Sequence, residues 1–159
     1  MPTVSLEQTT YADAAFVARR MREGDANEIL PLLFGGVEDL ALASAYAGYG
    51  RTAFYDKRPV AVFGAVETHP TSWSIFMYAT DEWHRVAVTT TRHIIKEAIP
   101  EMLRRGANRA ECRTHSDYTW SHRWIEMMGA QREAVIPEYG SNRATYYQYV
   151  WLRSFYDEV

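Results

Sequence analysis

The residues best suited to acid–base chemistry lie together in one short polar segment. Asp81, Glu82, His84 and Arg85 follow a predicted strand, at a place where a cleft is expected. His84 can act as a general base, because an unperturbed imidazole titrates at about pH 6.5. The alternative is a solvated helix start, at which acidic side chains interact favourably with the helix dipole. The segment therefore predicts either a proton acceptor or an ordinary helix N-terminus.

A second candidate for proton transfer is Glu111. It lies in a segment of alternating polar and apolar residues, which is typical of a half-buried strand. Its carboxylate could activate an amine through a water molecule. The sequence favours a simpler interpretation, in which an exposed strand carboxylate lies between Arg109 and Arg113.

Four residues further along the chain have the types found in nucleophilic triads. They are His115, Ser116, Asp117 and Ser121. Proximity along the chain does not create triad geometry, which requires side chains that meet in space. Ser116 and Asp117 directly precede a predicted helix, where such residues cap free backbone N–H groups. We therefore interpret them as capping residues.

The histidines and the cysteine do not predict a metal site. His84 and His93 are nine residues apart, and His115 and His122 are seven apart. Seven residues span about two helical turns, which is too far for two ligands on one helix to share an ion. Cys112 is the single cysteine, so neither a thiolate pair nor an internal disulfide is possible.

Length and composition predict one globular domain over residues 1–159. Hydrophobic residues make up 47% of the chain and charged residues 23%, which excludes a wholly disordered protein. The net charge of -3 argues against nucleic-acid binding driven by overall charge, and we expect no sequence-specific nucleic-acid partner. The first ten residues do not resemble a secretory signal, and we expect no membrane span, because no segment approaches roughly 18 consecutive apolar residues.

The predicted elements follow the order strand, helices, three strands, long helix, strand, helix and two strands. This order predicts an α/β (α+β) protein built on a mixed, largely antiparallel sheet flanked by helices. The long helix allows a parallel crossover between the strands on either side of it, and Pro100 should kink or divide that helix. Strands are predicted at Val4–Gln8, Arg51–Tyr55, Val60–Val66, Trp73–Ala79, Arg109–Arg113, Gln131–Ile136 and Thr145–Leu152. Helices are predicted at Tyr11–Arg22, Ala26–Phe34, Val37–Tyr46, 84–105 and 117–128.

This element order resembles the GNAT acyltransferase fold, most clearly from Trp73 to Gly129. In GNAT enzymes the fourth and fifth strands splay apart and acetyl-coenzyme A enters the gap, so the resemblance implies a splayed central strand pair. Several short phrases also resemble the GNAT-like internal virion proteins of short-tailed bacteriophages. These phrases are Arg19–Asp25, Pro59–Gly64, Tyr78–Glu82, Arg123–Ala130 and Tyr139–Gly140.

The resemblance identifies where a cofactor would be held. GNAT enzymes bind the cofactor diphosphate with an Arg/Gln-x-x-Gly-x-Gly/Ala loop, which corresponds here to Arg85–Thr90. The arginine matches, but Val88 and Thr90 replace the two glycines, and β-branched side chains would crowd a phosphate. If acetyl-CoA binds, the resemblance assigns its contacts to this segment. Those contacts are Arg85, Val86, Ala87, Thr89 and Thr90.

A second part of GNAT chemistry is altered as well. Many GNAT enzymes protonate the departing thiolate with a tyrosine four residues before the glycine that ends the fourth helix. Counting back from Gly129 gives Ile125, which has no exchangeable proton, and Ala130 replaces the usual phenylalanine. Tyr118 lies about two turns from that position, so the resemblance makes it a poor substitute.

We therefore predict a noncatalytic GNAT-like virion protein that acts in virion assembly or genome delivery. Its expected partners are other phage virion proteins, its expected location is the virion and the host cytoplasm during assembly, and no cofactor is expected. The predicted docking residues are Trp120, Trp124, Arg19 and Arg20. The tryptophans also fit a buried stripe, and the arginines also fit solvated helix faces.

The alternative is an N-acyltransferase that uses acetyl-CoA on a small amine or a host protein. Its candidate catalytic residues are Glu111, His84 and Tyr118. A third possibility is an inhibitory phage protein that binds a host factor, for which the sequence contains no specific signal. The sequence predicts no oligomeric state, because aromatic residues fill cores and interfaces alike.

Overall fold

One seven-stranded sheet forms the centre of the computed structural model, which describes residues 2–157. The strands are β1 Val4–Gln8, β2 Tyr49–Tyr55, β3 Arg58–His69, β4 Ser72–Ala79, β5 Arg109–His115, β6 Gln131–Ile136 and β7 Tyr146–Leu152. Their order across the sheet is β1-β2-β3-β4-β5-β7-β6. The pair β4 and β5 is parallel and the other neighbouring pairs are antiparallel, which confirms the predicted mixed, largely antiparallel sheet.

Helices cover both faces of this sheet. They are α1 Tyr11–Ala18, α2 Glu23–Ile29, α3 Gly36–Ala45, α4 Ala87–His93, α5 Ile99–Arg104 and α6 Thr119–Met127. A π-helical turn, Ile94–Ala98, joins α4 to α5, and short 3-10 turns lie at Leu30–Leu32, Trp83–Arg85 and Arg153–Tyr156. The first three helices pack on one face, and α4, α5 and α6 pack on the other.

The core lies between the sheet and these two helix layers. On the first face, Val17 and Val62 are fully buried around Tyr78, whose hydroxyl lies 2.8 Å from Ser44 Oγ. On the second face, Phe63 packs in a cluster with residues of the π turn and α5. Apolar side chains project from both faces of β3, and helices cover both faces of this central strand. Its continuous apolar run predicts this arrangement.

Three helices differ from their predicted bounds. The helix predicted at Ala26–Phe34 is α2, which spans Glu23–Ile29 and is followed by the 3-10 turn Leu30–Leu32. The sequence pattern continues to Arg22, but α1 ends at Ala18, and the N–H of Arg22 instead donates to the carbonyl of Ala79 on β4 at 2.8 Å. The long helix is divided as predicted, but a π turn precedes Pro100 and α5 begins one residue before it. Proline cannot donate the next helical hydrogen bond, so the regular pattern weakens at this point.

The strands β4 and β5 separate after a short paired segment. The paired residues are Ser72 with Arg109, Trp73 with Ala110 and Ser74 with Glu111. Beyond them β4 stays paired with β3, and β5 stays paired with β7. The two halves of the sheet therefore diverge in a V, and the predicted splayed strand pair is confirmed.

Candidate active site

The open edge of β4 faces the gap between the diverging strands. The N–H of Thr80 donates to the carbonyl of Val60 at 2.8 Å, on the side of β3. Backbone groups alternate in direction along a strand, so those of Met77 and Ala79 point the other way, into the gap. The gap thus exposes backbone donors and acceptors that need partners.

Helix α2 closes the wide end of the gap with two acidic side chains. Asp25 Oδ2 accepts the N–H of Ala79 on β4 at 2.8 Å. Glu28 Oε1 accepts the N–H of His115 on β5 at 2.9 Å. The two carboxyl groups lie three residues apart, nearly one helical turn, and each satisfies a backbone donor on one of the two diverging strands.

Asp25 is saturated with hydrogen bonds. Besides Ala79, it accepts two bonds from the Arg22 guanidinium at 2.9 and 3.0 Å and one from the Tyr118 hydroxyl at 2.8 Å. Burial raises the pKa of Asp25, and Arg22, Tyr118 and the Ala79 amide each lower it in part. A carboxylate with this many donors is a structural link between α2, β4 and the start of α6.

Glu28 has spare hydrogen-bonding capacity. It is 8% exposed, and its second oxygen, Oε2, has no hydrogen-bond partner within residues 2–157. Burial raises the pKa of Glu28 from 4.5 to about 8, and the hydrogen bond from the His115 amide opposes this rise. Glu28 also lines the cavity described next.

A cavity of about 400 Å³ occupies the gap and extends to both faces of the sheet. Its walls are mostly apolar. On the α2 side they include Ile29, Leu32, Leu33, Phe76 and Tyr139, and on the other side Ile75, Met77, Ile94, Ile99, Trp124 and Ile125. Cys112 also lines the cavity, and burial raises the pKa of its thiol, so this group stays protonated.

A more open groove of about 490 Å³ lies outside the cavity, between α4 and α6. Trp120 and Trp124 line both spaces and therefore form the wall between them. Trp83 packs edge-on against both rings, at 5.9 and 5.3 Å between centroids. Trp124 Nε1 donates to the hydroxyl of Thr91 on α4 at 2.9 Å. Arg92 and Lys96 bring positive charge to the groove.

Comparison with known proteins identifies the fold. No protein-family model and no curated protein sequence matches the chain. A GNAT-family acetyltransferase from Bacillus anthracis is 14% identical with a TM-score of 0.65, and the match covers 95% of each chain. A putative acetyltransferase from Salmonella typhimurium, solved with its cofactor acetyl-CoA, is 13% identical with a TM-score of 0.73 and coverage of 99% and 96%. This chain has the GNAT fold.

A further GNAT neighbour bears on the cofactor. An acetyltransferase from Bacillus subtilis, solved in complex with CoA, is 12% identical with a TM-score of 0.66, and the match covers 96% of this chain and 99% of that one. The prediction of a noncatalytic virion protein is therefore wrong, and so is the prediction of no cofactor, because the structural neighbours are acetyltransferases and two of them hold acetyl-CoA or CoA. Nothing in the comparison supports a phage family or phage partners. The altered residues at Arg85–Thr90 and Ile125 led to the wrong prediction because the gap depends on how β4 and β5 pair, which these short motifs do not encode.

The predicted cofactor segment lies at the start of the long helix of the GNAT fold, outside the cavity. Arg85 turns away from the gap, toward Glu82 at 3.3 Å and the Tyr55 hydroxyl at 3.3 Å. Val86 and Thr90 are fully buried, whereas Val88 is 69% exposed. Ala87 lies at the outer groove, and Thr89 is half-buried on the same helix. The segment forms helical turns rather than a loop of converging N–H groups.

The predicted catalytic residues are not brought together. Glu111 forms ion pairs with Arg109 and with Arg113, the latter at 3.3 Å, and does not line the cavity. His84 is exposed in a 3-10 turn and is likewise outside the cavity. Tyr118 does not line the cavity either, but its hydroxyl donates to Asp25, which does.

The four predicted docking residues lie in two different places on the molecule. Trp120 and Trp124 pack on Trp83 as described, whereas the two arginines lie at the end of α1. Arg19 is 3.3 Å from Glu38, and Arg20 lies 3.8 Å from the Phe16 ring and donates to its carbonyl. The arginine that contacts Trp120 is Arg22, whose guanidinium lies 4.5 Å from the ring centroid. These residues therefore do not form one surface.

The two acidic residues of the gap were not predicted from the sequence. Neither Asp25 nor Glu28 was among the predicted site residues. A signal was present, because Asp25, Glu28, Ile29 and Leu32 have the i, i+3, i+4, i+7 spacing of one helix face. Acidic residues that share a face with apolar ones indicate buried groups with a specific partner.

Neither a membrane-spanning helix nor a metal-binding cluster is found in residues 2–157. None of the helices in residues 2–157 combines the length and apolar character needed to cross a membrane. The part of the chain that the structure describes also has no group of three or more His, Cys, Asp or Glu side chains placed to hold a metal ion.

Proposed function

We propose that the chain is an N-acyltransferase that takes its acyl group from acetyl-CoA in the gap between β4 and β5. The observation that supports this most strongly is the divergence of the two strands around a cavity of about 400 Å³. Cofactor and small-molecule sites commonly have volumes of about 300–1,000 Å³ and mostly apolar walls. This cavity has both properties.

The thioester end of the cofactor fits the gap. When bound, acetyl-CoA supplies an acyl group activated as a thioester. The N–H of Met77 points into the gap without a strand partner, so it can donate a hydrogen bond to a carbonyl oxygen there. Ile75, Ile94 and Trp124 line the same cavity with apolar atoms, and surroundings of low polarity strengthen such a hydrogen bond.

The segment Arg85–Thr90, which corresponds to the glycine loop of GNAT enzymes, does not fit the diphosphate end of the cofactor. Val86 and Thr90 are buried side chains within helical turns, and Arg85 is held by Glu82 and Tyr55. The outer groove offers a different arrangement, in which Arg92 and Lys96 would hold phosphate groups by side-chain charge.

Tyr118 is the group that keeps a proton at the wide end of the gap. Burial raises the pKa of Tyr118, and the negative charge of Asp25 raises it further, so its Oη stays protonated at neutral pH. Asp25 fixes the ring position through this hydrogen bond. Because this proton is directed at Asp25 and Tyr118 does not line the cavity, Tyr118 positions Asp25 and does not replace the tyrosine missing at Ile125.

Calorimetric titration of the full chain with acetyl-CoA tests the proposal, followed by assay of acetyl transfer to a panel of primary amines. We expect micromolar binding and transfer to at least one amine. Cys112→Phe adds bulk to the cavity and should abolish binding, whereas Val135→Phe on the exposed edge strand β6 should leave it unchanged. Circular dichroism shows whether both variants fold. The absence of binding at millimolar acetyl-CoA would contradict the proposal.

A further inference from the structure

A cation lines the cavity on the side of α2. The guanidinium carbon of Arg113, on β5, lies 5.6 Å from the centre of the Tyr139 ring. Tyr139 packs against Tyr146, whose hydroxyl donates to the carbonyl of Glu28 on α2 at 2.5 Å. Arg113, Tyr139 and Glu28 all line the cavity, so this positive charge belongs to the part of the cavity next to α2, which we call the α2 compartment.

The other walls of the α2 compartment are apolar. They include Ile29, Leu32, Leu33 and Phe76, three of which come from α2 and the chain that follows it. A charge in such surroundings is costly unless an opposite charge or hydrogen bonds compensate it. Arg113 should therefore have several close acceptors.

The acceptors of Arg113 are fewer than its donors. A guanidinium has five N–H donors. Within residues 2–157, those of Arg113 form one hydrogen bond, from Nη2 to Glu111 Oε1 at 3.3 Å, and the buried Nε has no partner. Glu111 also accepts from Arg109, which binds Glu133 in addition at 2.7 and 2.9 Å. The carboxylate that contacts Arg113 is thus shared, and most donors of Arg113 are left for another acceptor.

We propose that the α2 compartment binds a carboxylate on an apolar body and that Arg113 is the residue that selects it. The inference rests on the proposed acyl transfer, in which this compound is the acceptor. The acceptor is then an amine that also carries a carboxylate, as an apolar amino acid does. Arg113 can hold a carboxylate through two parallel N–H···O hydrogen bonds, while the apolar walls contact the rest of the ligand.

The two acids of the compartment do not oppose a bound carboxylate. Asp25 is compensated by the Arg22 guanidinium at 2.9 and 3.0 Å. Burial raises the pKa of Glu28 to about 8, so this carboxyl is neutral at pH 7 and can donate a proton from Oε2. A phosphate dianion fits less well, because its second charge would face Glu111, which contacts Arg113.

Binding of 3-phenylpropanoate to the full chain without any cofactor tests this site, with 3-phenylpropan-1-ol as the neutral analogue. We expect the carboxylate to bind at least about tenfold more tightly than the alcohol at pH 7. Benzyl phosphate, which is largely a dianion at this pH, should bind more weakly than the carboxylate. Equal binding of the carboxylate and the alcohol, or tighter binding of the phosphate, would overturn the proposal.

Substitutions at Arg113 identify the residue. Arg113→Gln should weaken binding of 3-phenylpropanoate at least about tenfold and leave binding of the alcohol unchanged. Arg113→Lys keeps the charge but loses the paired donors, so its affinity should lie between those of the wild type and Arg113→Gln. Arg19→Gln, at an exposed pair with Glu38, is the control and should change neither affinity. Unchanged carboxylate binding in Arg113→Gln would reject the site.

A spectroscopic measurement covers the case in which Arg113→Gln does not fold. The NMR signal of the Arg113 Nε–H in the wild type must then shift when 3-phenylpropanoate is added and stay in place when the alcohol is added. The same response to both compounds would contradict the proposal.

Acetyl transfer decides whether the bound carboxylate belongs to the acceptor. L-Phenylalanine and 2-phenylethylamine differ by one carboxylate, and we expect kcat/KM to be at least about tenfold higher for phenylalanine, a preference that Arg113→Gln removes. Equal values for the two amines would reject this assignment. Acetyl-CoA calorimetry separates the two proposals. Arg113-dependent carboxylate binding without acetyl-CoA binding supports the site and rejects acyl transfer, whereas acetyl-CoA binding with no preference for the carboxylate rejects the site alone.

Discussion

The carboxylate of Asp25 accepts the backbone N–H of Ala79 at 2.8 Å, on the open edge of β4. This hydrogen bond joins a helix to a strand edge that has lost its neighbouring strand. A second hydrogen bond strengthens this link, because the N–H of Arg22 donates to the carbonyl of Ala79, also at 2.8 Å. The wide end of the gap is thus held by α2, and the narrow end by the short paired segment of β4 and β5.

Asp25→Asn should destabilise the fold substantially. The substitution removes the negative charge that faces Arg22, whose side chain is only 15% exposed, and it leaves one of four donors without an acceptor. Loss of one partner of a buried ion pair costs about 3 kcal/mol or more. Urea unfolding measures this change. Glu38→Gln at the exposed Arg19 pair is the control and should cost no more than about 1 kcal/mol.

Gly24→Ala should destabilise the protein through Tyr118. A methyl group at Gly24 would lie 2.4 Å from Cε1 of that ring, and such overpacking costs about 1–3 kcal/mol. In a Tyr118→Ala background the clash is absent, and alanine within a helix is favoured over glycine by up to about 1 kcal/mol. The sign of the effect should therefore reverse between the two backgrounds in urea unfolding. The same cost in both would show that Tyr118 does not occupy this position.

Glu28→Gln should flatten the dependence of stability on pH. The folded protein holds a proton on Glu28 up to about pH 8, whereas the unfolded chain releases it near pH 4.5. The free energy of unfolding therefore falls as pH rises between these values, by about 1.4 kcal/mol per pKa unit and at most about 5 kcal/mol. Urea unfolding at pH 5, 6, 7 and 8 gives the slope. Parallel slopes for the variant and the wild type would contradict the prediction.

Acetyl-CoA should alter tryptophan fluorescence through the wall between the cavity and the groove. Trp120 and Trp124 line both spaces, so a ligand that passes from one to the other must displace them. Trp120→Phe combined with Trp124→Phe should remove most of the signal change. Trp73→Phe is the matched control, since Trp73 is buried elsewhere in the core and lines neither space. A response that survives the double substitution would place the ligand elsewhere.

Local patterns predicted the strands correctly because each strand is encoded by residues next to one another. The alternation in Arg109–Arg113 and the apolar run in Val60–Val66 both report burial on strand faces, and the structure contains β5 and β3 there. The sequence also predicted that β4 and β5 could pair in parallel, because a long helix between two strands allows a crossover connection, and the structure has this pairing.

Local patterns failed where a residue's role depends on a distant partner. Arg22 fits a helical pattern, yet its N–H bonds to Ala79 on β4, and α1 ends earlier. Tyr118 looked remote from the chemistry by its distance along α6, but the ring reaches Asp25, 93 residues away in sequence. The motif at Arg85–Thr90 concerns only the diphosphate end of a cofactor. It therefore could not predict whether β4 and β5 separate to leave room for the thioester end.

The sequence by itself determined the order of elements, the mixed sheet and the resemblance to the GNAT fold, because periodicity and turn residues act over a few neighbouring positions. Only the tertiary structure decided which acids enter the gap. Asp25 and Glu28 face nearly the same way on α2, but one meets four donors and the other meets one. That difference arises from the places where β4, β5 and α6 converge on the helix, and no local pattern encodes it.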